Sequence, residues 1–136
     1  MTERHVSSAD RQVFDELRGI AQGDDPPVLM LNENRYTTEA GFPDGSPYRS
    51  YMTALEHAVG DTGGQVLWRS PVGTQVVGCE HERYDEILAV WYPSHSAFLN
   101  LRSADGAEKM FEGREICVEH AMVIALPGDR HPHRPE

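Results

Sequence analysis

The stretch YDEILAVWYPSHSAFL, Tyr84–Leu99, decides how this chain folds. It begins with residues rich in Ile, Leu, Val, Trp and Tyr, side chains that suit a pleated surface buried on at least one face, so it reads as a strand. Pro93 ends that strand, because proline has no N–H to give to a ladder. Ser94 then offers a hydroxyl to the free N–H groups of a helix opening at His95. Downstream, Ser103 is placed to cap a second helical segment, Ala104–Val118, with Met110, Phe111, Cys117 and Val118 on its apolar stripe. HAMVIAL, residues 120–126, is the last strand.

Upstream, VLMLNENRY (28–36) begins as a core strand and turns polar. A period of two places Met30, Asn32, Asn34 and Tyr36 on one face, and Leu29, Leu31, Glu33 and Arg35 on the other. Either the strand leaves the core at Asn32 or its polar side chains meet a polar cavity. Ser46 can cap a helix with Pro47 in its first turn. Tyr48, Tyr51, Met52, Leu55, Ala58 and Val59 form the helix's buried stripe, and Gly60 closes it. His57 falls off that stripe and is expected in solvent. A strand follows over 64–77, broken at Pro71 and resuming at Thr74–Val77. Val66, Trp68 and Ser70 alternate in it with Gln65, Leu67 and Arg69.

The chain of 136 residues is one domain by length, preceded by a helical extension and linker (1–27). Val13, Phe14, Leu17, Ile20 and Ala21 give the extension one apolar stripe, Ser7 or Ser8 can cap it, and Gly23 ends it. The domain covers 28–127, and the Pro- and His-rich tail GDRHPHRPE (128–136) is expected to be disordered. Hydrophobic residues make up 39% of the chain, which fits such polar ends. With 12 Lys and Arg against 22 Asp and Glu the net charge is −10, so phosphate-rich surfaces would be repelled. Neither nucleic acid nor a membrane is therefore expected as a partner. Cys79 and Cys117 form no CxxC pair, and no apolar run resembles a secretion signal or membrane span. A reduced, cytoplasmic setting is expected.

The order βαββαβ is the split βαβ pattern, an α+β ferredoxin-like protomer with an extra N-terminal helix. Its two helices cover one face of a four-stranded sheet. The middle strands are apolar on both faces, with Ile87, Ala89 and Trp91 opposing Leu88, Val90 and Tyr92. A second cover is needed, and a second copy meeting face to face supplies it. A homodimeric α+β barrel is expected, with a cavity between each sheet and its helices.

Taken together, MLN at 30–32, Tyr48 and Tyr51, GGQVLWR at 63–69, YDEILAVWYPSHSAFL at 84–99 and Arg114 resemble one of the "domain of unknown function" families of the dimeric α+β-barrel superfamily. The resemblance runs from about Val28 to Leu126. It implies a ferredoxin-like protomer and a homodimer. Relatives in that superfamily include cofactor-free monooxygenases, isomerases, cyclases of polyketide-type substrates and haem enzymes. This chain departs from the family pattern at Glu33 and Asn34, at Gly113, where a histidine often precedes the arginine, and in its N-terminal helix.

The expected function is that of a cofactor-independent enzyme of isomerase, cyclase or monooxygenase type. Its substrate would be a hydrophobic small molecule, carbonyl-bearing or aromatic. Arg114 sits inside an apolar stripe, where a guanidinium needs an intramolecular carboxylate or a ligand anion. It could stabilise an enolate or carboxylate, assisted by Asn32 or Asn34. His120, which shares a face with Met122 and Ile124, is the candidate acid or base because its ordinary pKa lies near neutrality. Tyr51, Trp68 and Trp91 would hold the carbon skeleton. The alternative is a non-catalytic small-molecule-binding or accessory dimer. No cofactor and no metal is expected. The Cys, Glu and His residues of the charged turn CEHER (Cys79–Arg83) invite a metal reading, but adjacent residues should not all point at one ion and second partners are missing.

Overall fold

The computed structural model describes the chain from Ser8 to Asp129, with side chains from Arg11 onward. The tail beyond Asp129 and the serines expected to cap the first helix therefore lie outside the described residues or side chains. The elements run α1 (Ser8–Gln22), β1 (Val28–Tyr36), α2 (Ser46–Asp61), β2 (Gln65–Pro71), β3 (Glu86–Tyr92), α3 (His95–Leu99), α4 (Ala107–Cys117) and β4 (Val118–Pro127). The four strands form one antiparallel sheet in the order β2-β3-β1-β4, the ferredoxin-like arrangement.

The strand-to-helix junction folds as its residues dictate. β3 stops at Tyr92, and Ser94 Oγ accepts the backbone N–H of Ala97 at 2.9 Å, capping α3. α2 and α4 pack on each other over the same sheet face. From β1 and β3 that face receives Val28, Met30, Asn34, Tyr36, Glu86, Leu88, Val90 and Tyr92, all buried. β1 does not leave the core at Asn32, since Asn34 beyond it is only 2% exposed.

Four local expectations are corrected. Ser46 is the first helical residue of α2 and not its cap, which is Gly45 without a side-chain bond. α2 runs past Gly60 to Asp61, and Gly63 takes the left-handed conformation just beyond it. No continuous helix spans 104–118, and Ser103 caps nothing. α3 passes into a 3-10 turn at Asn100–Ser103, and α4 starts only at Ala107, behind Gly106 at φ +82°. Asp105 docks that turn on the end of α2, its N–H donating to Asp61 Oδ2 at 2.8 Å and its carboxylate meeting His57 Nε2 at 2.7 Å. Thr74–Val77 forms no strand. The chain leaves the sheet after Pro71, and Val76 and Val77 lie in solvent.

β2 holds a further surprise. A bulge between Val66 and Trp68 shifts the register, so Val66 lies opposite Val90 but Trp68 opposite Ala89. Val66 therefore faces the helices, while Trp68 faces the other way. That other, open face carries Leu29, Leu31, Ile87, Trp91, Ile124 and Leu126 by register. Trp68 is 50% exposed and Ile124 40%.

α1 lies against α3, with Phe14 stacked on Phe98 at 6.3 Å between ring centroids. The linker that follows is pinned to the start of α3. Asp25 Oδ1 accepts the N–H of Ser96 at 2.9 Å, and His95 Nδ1–H donates to the Pro26 carbonyl at 2.7 Å. The two bonds to the Ser96 N–H and side chain hold the Asp25 carboxyl below its ordinary range.

Candidate functional site

Between the covered sheet face and the helices lies a cavity of about 340 Å³. Such a volume falls at the lower end of small-ligand pockets, roughly 300–1,000 Å³. α1 contributes Phe14 and Leu17 to its roof, α3 contributes Phe98, and the floor is Met30, Leu88 and Val90. Val123 on β4 also lines it and is 44% exposed, so the cavity opens to solvent beside that strand.

The polar groups on its wall are few. Asn32, Asn34 and Tyr51 line the cavity, as does Arg114 on α4. Arg102 stands at the rim with its guanidinium over the ring of Phe111, 6.0 Å from the centroid. Among the described residues, no carboxylate, histidine, lysine or cysteine lines this space. Arg114 is half-buried, and among the described residues its guanidinium makes no ion pair or hydrogen bond. Asn32 donates one amide hydrogen to the carbonyl of Met30 at 3.1 Å.

Asn34 ends a buried chain of hydrogen bonds whose centre is Glu86, 3% exposed. Tyr36 donates its hydroxyl to Glu86 Oε1 at 2.5 Å, and Tyr48 donates to Oε2 at 2.7 Å. A carboxylate has only acceptor oxygens, so both phenols must point their hydrogens at it. Tyr36 oxygen is then free to accept, and Asn34 Nδ2 donates to it at 3.3 Å. On the far side Arg69 Nη1 donates to Tyr48 oxygen at 3.0 Å. The direction of every bond follows from Glu86, and it leaves Asn34 Oδ1 buried with no partner. Burial, reinforced by the bond to Glu86, pushes the ionisation of Tyr36 and of Tyr48 above the ordinary tyrosine range. Tyr92, which also lines the cavity, is pushed up by burial alone in the main.

The residues expected to act together are divided by the sheet. Asn32, Asn34, Tyr51 and Arg114 share the cavity. His120 does not: it stands opposite Arg35 on the open face, exposed and stacked on Tyr84 at 5.7 Å. Trp91 is on that open face too, its indole N–H donating to the Gly128 carbonyl at 3.0 Å. Trp68 is beside it across the bulge. Glu86 and Arg102 were not foreseen as parts of the site. A carboxylate in phase with Leu88, Val90 and Tyr92 was the signal for Glu86.

The CEHER turn also behaves differently from its sequence expectation. A 3-10 turn at Glu80–Glu82 brings ligand atoms of Cys79, His81 and Glu82 within 4.8 Å of one another, all exposed. The approach is accounted for by a capping box, in which Cys79 and Glu82 exchange side-chain and backbone bonds.

No protein-family model matches the chain, and no curated protein matches it. Its fold is similar to that of a protein of unknown function from Rhodopseudomonas palustris, solved as a structural-genomics target. The two are 25% identical with a TM-score of 0.71, over 92% of this chain and 95% of that one. The methylated form of that protein gives 26% identity and a TM-score of 0.72, over 92% of this chain and 93% of the other.

Proposed function

We propose that this protein binds a small apolar molecule in the cavity between its sheet and its helices, and that two copies pair through the open sheet face. The observation that carries the binding reading is a largely apolar enclosure of about 340 Å³ that opens to solvent beside Val123. Binding is favoured over catalysis because a proton-transfer reaction needs an acid or base beside the substrate, and His120 lies across the sheet.

Titration of the full chain with 2-naphthol, a neutral aromatic, is expected to show one site per chain. Val123→Trp fills the mouth from an exposed position and should weaken that binding about tenfold or more, a change of about 1.4 kcal/mol. Equal binding by the wild type and the folded variant would place the probe elsewhere and overturn the reading.

Pairing is supported by the half-exposed row of Trp68, Ile124 and Leu126, apolar area that a lone chain leaves in water. Light scattering at micromolar concentration should report a particle of about 30 kDa, twice the 15.2 kDa chain. Ile124→Asp should return it to one chain. A 15 kDa wild-type particle would remove the pairing and leave the cavity untouched.

A further inference from the structure

We infer that the cavity selects an anion: its ligand is an apolar monocarboxylic acid whose carboxylate pairs with Arg114. This rests on the reading of the cavity as a ligand site and narrows the ligand to one chemical class. The chain carries 22 acidic residues against 12 basic ones, yet two arginines, Arg102 and Arg114, line the cavity and, among the described residues, no Asp or Glu does. Arg102 lies over the ring of Phe111 but is exposed, so water can solvate its N–H groups. Arg114 is half-buried on α4, with Met110 and Phe111 one turn before it and Cys117 one turn after. A guanidinium taken partly out of water without a counter-charge is costly, and a carboxylate is the group whose two oxygens match its fork.

The apolar floor of Met30, Leu88 and Val90 would take the body of that acid.

Two probes separate charge from shape. 3-Hydroxy-2-naphthoate and 2-naphthol share a bicyclic body and a hydroxyl, and differ by the carboxylate. Measured by calorimetry on the full chain, the acid should bind at least about tenfold more tightly, as charge-assisted bonds imply. Arg114→Met keeps the apolar stem and should weaken the acid by about 10- to 100-fold while leaving 2-naphthol within about twofold. Arg114→Lys should keep much of the preference for the acid. Equal affinity of the wild type for both probes, or an Arg114→Met change that weakens both alike, overturns the inference while the cavity reading stands. Binding of neither probe, or of both regardless of Val123→Trp, overturns the two together. The wild-type comparison requires no variant to fold.

Discussion

Glu86→Ala should destabilise the protein by about 3–5 kcal/mol, because it leaves the Tyr36 and Tyr48 hydroxyls buried without an acceptor at about 1–3 kcal/mol each and empties space besides. Each phenol now donates to its own carboxylate oxygen, at 2.5 and 2.7 Å. Their rings also pack edge-to-face with centroids 5.1 Å apart, so neither can swing to solvent without breaking the core. Glu86→Gln keeps one acceptor oxygen and should cost less. The sharpest check is non-additivity. With Tyr36→Phe and Tyr48→Phe already in place, no hydroxyls remain to be stranded, and Glu86→Leu should then cost less than Glu86→Ala does alone. Urea unfolding reads all of these. A loss below about 1 kcal/mol for Glu86→Ala would mean that the carboxylate does not anchor the two phenols.

Alkali should unfold the protein cooperatively, with about 4 kcal/mol lost between pH 9 and pH 11 from three tyrosines. Tyr36, Tyr48 and Tyr92 are buried, and each has its ionisation raised, chiefly by loss of water around the phenolate. Below the ordinary tyrosine pKa near 10, both folded and unfolded chains keep these protons and nothing is lost. Above it the unfolded chain releases them while the folded chain holds them. Stability therefore falls as pH rises, by about 1.4 kcal/mol per pH unit for each residue. Lys109 is the chain's one lysine, and the buried Cys117 thiol, also pushed up by burial, adds to the fall in the same direction. Absorbance at 295 nm should jump together with the loss of far-ultraviolet ellipticity. A gradual phenolate signal from all five tyrosines with the fold intact would contradict this.

The fold was legible where a residue forces the backbone. Pro93 and Ser94 placed the end of β3 and the start of α3 to the residue, and the composition of 28–36 bounded β1. The long helix assigned to 104–118 failed because Gly106 needs a left-handed conformation, and the Asp105 contacts that stabilise that turn come from α2, far away in sequence. The site was only half legible for a related reason. Alternation sorts a strand's side chains into two sets, but registration against its neighbours decides which set the helices cover. His120 was grouped correctly with Met122 and Ile124. Its position opposite Arg35 is what sends the whole group to the open face. For Trp68 even the grouping failed, since one bulged residue inverts the phase. Arg114 was flagged by its place in an apolar stripe, and no intramolecular carboxylate answers it among the described residues.

The attachment of α1 has a kinetic consequence. The helix roofs the cavity through Phe14 and Leu17, and the linker that follows it is held to α3 by Asp25 and Pro26. Displacing that one helix exposes far less surface than unfolding the sheet. The proposed ligand could then enter and leave by the mouth beside Val123 or by displacement of one helix, without the sheet opening, so the molecule can be thermally sturdy and still exchange that ligand quickly.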